Sequence, residues 1–200
     1  MVARNPPTPL MSYRYSITTK DGKPHRISVV ELGSDRLEEV KEFTCGVGEQ
    51  DDYVRNNAWK EQKAGMNKTL LFLEDGIMLG YITYGVSRVR IKSEDYCKKL
   101  GISYGPEPVL LIAQYAIAKS FQNTGAGLEL LEFVKHHLTH LALELGGIGI
   151  SLFCIMDELG GKRIHVYEKA GFSKLSDKPD DSNKIQMFFS FDKVFAEVYS

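Results

Sequence analysis

The spacing with the most chemistry in this sequence is the run Gln122-Asn123-Thr124-Gly125-Ala126-Gly127. It follows an apolar stretch, Val109 to Ala118, and the link Lys119-Ser120-Phe121, and it opens a long periodic segment at Gly127. The first amides of a helix have no intrahelical partner and point outward along the positive end of its dipole. Gly125 and Gly127 can take backbone conformations closed to other residues and bring those amides close to an anion. The segment is therefore a candidate phosphate or pyrophosphate site. Competing phosphate motifs fail: G-x-G-x-x-G lacks its third glycine, because Leu130 stands there, and the triphosphate loop would need Lys-Ser/Thr where Leu128-Glu129 stand. A glycine-rich strand-to-helix turn without a ligand fits the same local pattern.

Other chemistry-bearing residues are weaker candidates. His136 and His140 lie one helical turn apart, but no Glu completes an H-E-x-x-H pattern and no third ligand is near. A solvated helix face is the better reading, and no metal is expected. Cys45, Cys97 and Cys154 lack metal-ligand spacing, and three thiols cannot all pair; Cys154, inside an apolar run, reads as core. Glu31, Glu107 and Asp157 sit near strand ends, where a carboxylate could serve as a base or simply be solvated. Trp59 could line an acceptor pocket, although packing is the safer assumption. Arg88, Arg90 and Lys92 alternate along one strand face, and Lys98 and Lys99 follow. Such a row suits either nucleic-acid phosphates or the protection of a sheet edge.

These residues need a scaffold, and the chain is long enough to provide one. Its 200 residues are 43% hydrophobic and 26% charged, with net charge -1, as in an ordinary soluble globular protein. That balance offers no global attraction to nucleic acid or anionic membrane. No apolar run reaches the roughly 18 residues of a membrane span. The few cysteines suggest a reducing, cytoplasmic setting. Residues 1–12, with Asn5, Pro6, Pro7 and Pro9, read as a flexible tail, and residues 13–200 as a single domain.

Along that domain, Tyr13 to Thr18 and Arg26 to Leu32 read as a hairpin around Lys20 to Pro24. Ser34 or Asp35 should cap a helix through about Phe43, and a second helix should run from Gln50 to Lys63. Strands follow at Thr69 to Leu73 and Ile77 to Ile91, joined by Glu74-Asp75-Gly76. Lys92 to Pro108 is a polar excursion with a helical turn near Glu94 to Lys99, and Val109 to Ala118 is a strand buried on both faces. Leu128, Leu131, Val134, Leu138, Leu141, Ala142 and Leu145 recur at helical spacing over Gly127 to Leu145. A strand at Ile148 to Ile155, a helix at Gly161 to Ala170 and a strand at Lys184 to Phe191 complete the order. Strands interleaved with helices predict an α/β layer structure around a central mixed sheet.

The segment Ile112-Ala113-Gln114-Tyr115-Ala116-Ile117, with Phe121 to Gly127 after it, resembles the GNAT superfamily signature: a strand, Q/R-x-x-G-x-G/A, then a helix. Val166-Tyr167-Glu168-Lys169-Ala170-Gly171-Phe172 resembles the superfamily's second signature, a helix ending in Y-E-K-x-G-F. The two occur in the family's order. The resemblance implies an acetyl-coenzyme A-dependent N-acetyltransferase with a mostly antiparallel, twisted mixed sheet flanked by helices. Its two central strands should splay apart in a V. It further implies that Tyr115, Ala116 and Ile117 bind the pantetheine arm. The amides of Gln122, Asn123, Thr124, Gly125, Ala126 and Gly127 would hold the pyrophosphate, and Tyr167 would act as general acid. An amide at Ile117 or a neighbour would stabilise the oxyanion, and Lys162 and Arg163 could assist the cofactor. The protein is expected to be a homodimer.

On the acceptor side, the resemblance leaves a primary amine of a small molecule or protein as the main reading. Phe43-Thr44-Cys45-Gly46, with Asp51 to Ala58 after it, also resembles the F-x-C-G…L-D-x-Y-L-x-x-x-A segment of acetyltransferase toxins that modify aminoacyl-tRNA. The chain departs from that pattern in having Asp51 where Leu is usual, in an extra N-terminal hairpin, and in the excursion after Ile91. This second resemblance implies tRNA, met through Arg88, Arg90 and Lys92, and an antitoxin as partners. A non-catalytic acyl-coenzyme A-binding module is a further alternative.

Overall fold

The computed structural model describes residues 13–90, 101, 106–192 and 195. In chain order the elements are β1 (Tyr13–Thr18), β2 (Pro24–Glu31), α1 (Leu37–Lys41), α2 (Gly48–Asn56), α3 (Ala58–Lys63), β3 (Lys68–Glu74) and β4 (Ile77–Val89). Then come β5 (Glu107–Ile117), α4 (Ala126–Leu145), β6 (Gly149–Ile155), α5 (Gly160–Lys169), β7 (Ser173–Lys174) and β8 (Lys184–Ser190). The strands form one sheet in the order β1-β2-β3-β4-β5-β6-β8-β7. The pairs β1–β2, β2–β3, β6–β8 and β7–β8 are antiparallel, and β5–β6 is parallel. The result is the expected α/β fold with a mixed, mostly antiparallel sheet. The parallel ladder covers Leu110↔Ile150 to Ile112↔Leu152 only, although β5 continues to Ile117.

Backbone contacts divide the chain into two compact units, Met1–Thr83 with Gln114–Ala126, and Tyr84–Ala113 with Gly127–Ser200. In the first unit, the β1–β2 hairpin buries Ile17, Ile27 and Val29 and exposes Arg14, Ser16 and Arg26 at alternate positions, the two-residue period of a strand. Phe43, Val54, Ala58, Leu71, Tyr81 and Ala116 are among the residues of its core cluster, and Trp59 packs against that cluster. The first helix is shorter than expected. A 3-10 turn at Ser34–Arg36 precedes α1, Gly33 occupies the cap position, and no side-chain cap forms at Ser34 or Asp35. The single helix expected over Gln50 to Lys63 is two, broken at Asn57, whose φ of -117° leaves the helical range.

In the second unit, Leu131, Val134, Leu138 and Ala142 form the buried stripe of α4 as their spacing predicts. Leu145, expected in that stripe, is 67% exposed at the helix end, whereas Leu130 is fully buried. The strand β7, only two residues long, gave no periodic signal in the sequence. The tail 1–12, the end of the strand expected at Ile91, the turn at Glu94 to Lys99, and Lys92, Cys97, Lys98 and Lys99 lie outside the described residues.

Candidate active site

The glycine-bearing run links β5 to α4, and its residues through Ala126 belong to the first unit. Chain direction reverses through a 3-10 turn, Lys119–Phe121, and then through Asn123 (φ 64°) and Gly125 (φ 93°), both left-handed. Only glycine meets no strain at such a φ, and asparagine is among the few side chains that tolerate it. The Thr124 hydroxyl donates to the Phe121 carbonyl at 2.8 Å and accepts from the Ala126 N–H at 3.3 Å, tying off the turn. The N–H groups of Asn123, Thr124 and Gly125 have no partner among the described residues. Successive free amides beside a helix start make a concavity that suits an anion. Ala126 and Gly127 begin α4 itself.

A network within the same unit holds this loop through contacts that no local sequence pattern encodes. The buried carboxylate of Asp51 accepts from the Cys45 N–H and the Thr44 hydroxyl, both at 2.7 Å. Burial would push that carboxyl up, but these hydrogen bonds, with the Cys45 thiol and the Arg55 charge as lesser causes, leave it below its ordinary value. The carbonyls of the same two residues face the loop: Thr44 accepts from the Lys119 N–H at 2.9 Å, and Cys45 from the Gln122 side-chain amide at 2.7 Å. Gln122 also donates to the Ile117 carbonyl at 3.0 Å. Its side chain thus serves the scaffold, which leaves its backbone for a ligand. In Gln50-Asp51-Asp52-Tyr53, Asp51 occupies the Asp of L-D-x-Y, and Gln50, rather than Asp51, stands where Leu is usual.

The end of β5 is anchored next to the loop. The Ala118 N–H donates to the Leu79 carbonyl at 2.8 Å. A Cβ on Gly80 would lie 2.7 Å from the Ala116 carbonyl oxygen, so only glycine lets the two strands approach this closely. Ala116 is buried, and Tyr115 and Ile117 are half-buried.

Tyr167 belongs to the second unit, on the last turns of α5. Its ring meets Phe172 at 6.1 Å in an edge contact, and its carbonyl accepts from the Phe172 N–H at 3.0 Å. Its hydroxyl has no hydrogen-bond partner among the described residues. Burial, with the Cys154 thiol as a lesser cause, pushes the phenol up to about 12. Tyr167 is therefore protonated at neutral pH, with a donor to spare.

The other candidates separate clearly. Glu31 is committed to Lys68 at 2.9 Å and to Gln62 at 2.9 Å. Asp157 is paired with Arg163 at 2.7 Å and accepts from the Leu159 N–H at 3.0 Å. Glu107 is half-buried at the start of β5, and Lys162 is exposed. Cys154 is buried, and its thiol is pushed up by burial. The His136 and His140 rings stand 4.4 Å apart, and no metal-binding group of three His, Cys, Asp or Glu occurs among the described residues. Arg88 and Arg90 are exposed. No helix among the described residues is long and apolar enough to cross a membrane.

Comparison with known proteins places this arrangement. The model of the acetyltransferase (GNAT) family matches residues 35–172, which include the Gln122–Gly127 run and Tyr167. No curated protein matches the sequence. Among solved structures, AtaT complexed with acetyl-methionyl-tRNAfMet is similar with a TM-score of 0.71 at 19% identity, over 87% of this chain and 99% of that one. A tyrosine-to-phenylalanine mutant of KacT reaches 0.70 at 19% identity, over 85% and 98%. A similar mutant of the AtaT toxin, bound to the C-terminus of the antitoxin AtaR and acetyl-CoA, reaches 0.65 at 16% identity, over 87% and 99%. Identities this low establish a shared fold.

Proposed function

The chain belongs to the acetyltransferase (GNAT) family, an acetyl-coenzyme A-dependent acetyltransferase by that membership, and on this premise we propose that its acceptor is the α-amino group of an aminoacyl-tRNA. The reading rests chiefly on the toxin-like segment from Phe43 to Ala58. In this chain it is a built part of the donor half: Phe43, Cys45, Val54 and Ala58 are buried together, and Asp51 grips the two residues that anchor the loop. That the toxin acetyltransferases match over nearly their whole length supports it. The expectation of a small-molecule or protein amine has less behind it.

In the proposed reaction the free amides of Asn123 to Gly125 hold the donor's pyrophosphate, and the end of β5 holds its pantetheine arm. The neutral amine attacks the thioester carbonyl, the C–S bond breaks, and the departing thiolate takes the Tyr167 phenolic proton. The proton lost by the amine returns through solvent to Tyr167. A phenol at about 12 is a weak acid in water, but the burial that raises it would also raise the thiol it protonates. No dedicated base is required. Glu31 and Asp157 are committed elsewhere, and an α-amino group, ordinarily near pKa ~8, is about one tenth neutral at pH 7, whereas a lysine near ~10.4 is less than about a thousandth neutral.

Basic surface for RNA is available at Arg88 and Arg90 and at a cavity of about 440 Å³ on the hairpin, lined by Arg14, Arg26, Ser16 and Ser28 with Asp75. The test is incubation of the purified protein with labelled acetyl-coenzyme A and charged tRNA. Label should appear on the aminoacyl group, fall with added salt, and fall further in Arg88→Ala/Arg90→Ala. Equal labelling of free amino acid and charged tRNA would reject the tRNA acceptor.

A further inference from the structure

We propose that Lys20, at the tip of the β1–β2 hairpin, is a binding residue of the donor site whose ammonium neutralises the pyrophosphate of the cofactor. This rests on the reading of Gln122 to Gly127 as the donor loop. The hairpin is one of the features by which the sequence departs from the toxin pattern, and it reaches the loop at two points. The Lys20 N–H donates to the Thr124 carbonyl at 2.7 Å, and the His25 ring meets Phe121 edge-on at 4.8 Å. The stem of Lys20 then runs along Gly125: a Cβ there would lie 3.2 Å from Cγ, 3.6 Å from Cε and 3.8 Å from Cδ. Backbone and stem together carry the ammonium along the segment whose amides are unpartnered.

The hairpin turn leaves that charge available. The Thr19 hydroxyl donates to Asp21 at 2.6 Å, the Thr19 N–H to the Lys23 carbonyl at 3.0 Å, and the Gly22 N–H to the Thr19 carbonyl at 2.8 Å. Asp21, the acid beside Lys20 in sequence, is paired with the Lys23 ammonium at 3.2 Å. Lys20 is exposed and has no carboxylate partner among the described residues. A cation already ordered by a backbone hydrogen bond and a packed stem loses little further freedom when it meets a phosphate.

The test is a titration of acetyl-coenzyme A into wild type, Lys20→Met and Lys20→Arg at low and high salt. Methionine keeps the unbranched stem over Gly125 and removes the charge. Lys20→Met should raise the Kd about fivefold at low salt, with the gap closing at high salt, and Lys20→Arg should stay close to wild type. Unliganded melting temperatures should be unchanged. With S-acetylpantetheine, which has no phosphate, wild type and Lys20→Met should share one KM. With acetyl-dephospho-coenzyme A, which keeps the pyrophosphate, the penalty should persist. Equal Kd values for wild type and Lys20→Met would overturn the proposal while leaving the donor loop standing. Loss of the penalty with the dephospho donor would also overturn it, by moving the contact to the 3′-phosphate. Failure of wild type to bind acetyl-coenzyme A, or equal affinity for the phosphate-free donor, would overturn the donor-loop reading itself.

Discussion

The donor loop and the Tyr167 helix are opposite solutions to placing a polar group. The loop offers several backbone amides without partners among the described residues, fixed from behind by Thr124, Gln122 and, through Thr44 and Cys45, Asp51. The helix offers one hydroxyl, half-buried against Phe172 and unpartnered among the described residues. Work shared among several amides degrades gradually when one support is removed. Work done by one atom is lost when that atom is deleted, so mutation should separate the two regions by the kinetic constant each one moves.

Tyr167→Phe should have the largest effect. Deleting a general acid costs about 10²-fold or more in kcat, and because the ring still packs on Phe172, the acetyl-coenzyme A Kd should not move. Stopped-flow release of free thiol checks this, and an unchanged rate would leave Tyr167 a packing residue. A phenol at about 12 also predicts no alkaline fall in kcat from this group through pH 10.

Gly125→Val should act on the other constant. The left-handed φ of 93° costs a side chain about 1–2 kcal/mol, and its Cβ meets the Lys20 stem at 3.2 Å. Acetyl-coenzyme A affinity should fall by about tenfold, with kcat at saturation nearly retained. Calorimetric titration beside steady-state kinetics would show it, and an equal loss in kcat would erase the proposed division of labour.

Asp51→Ala should be gentler on function than on the fold. It strands the Cys45 N–H and the Thr44 hydroxyl, at a cost of about 1–3 kcal/mol, and loosens the loop only through their carbonyls. Its pH signature has a definite sign. A carboxyl whose folded pKa lies below its unfolded value contributes stability above the unfolded value and loses it as pH falls through the folded one. The wild-type advantage over Asp51→Asn in urea melts should therefore shrink below about pH 4.

Much of the fold was readable because it depends on short-range patterns. The periodicity of α4, the apolar runs of β5 and β6 and the alternation of β8 are written in neighbouring residues. The break at Asn57, the missing cap at Ser34 and the exposure of Leu145 are set by what each residue meets across space, which spacing does not encode. In the candidate site, the types and order of Gln122 to Gly127 and of Tyr167 were legible. The supports were not. No local pattern tells that the Gln122 side chain clamps the Cys45 and Ile117 carbonyls, or that the Asp51 carboxylate holds Thr44 and Cys45.

The sequence by itself determined the kind of backbone that could meet an anion, because glycine spacing and a following amphipathic helix are local properties of the chain. It could not decide what stands around that backbone. Lys20 and Thr124 lie far apart in the chain and 2.7 Å apart between N–H and carbonyl oxygen, and Asp51 meets the loop only through carbonyls that folding turns toward it. Those approaches depend on strand pairing and hairpin docking, which bring distant residues together with no signature in either segment alone. The residues of the proposed donor loop stand in the sequence, and the brace that holds them comes with the tertiary structure.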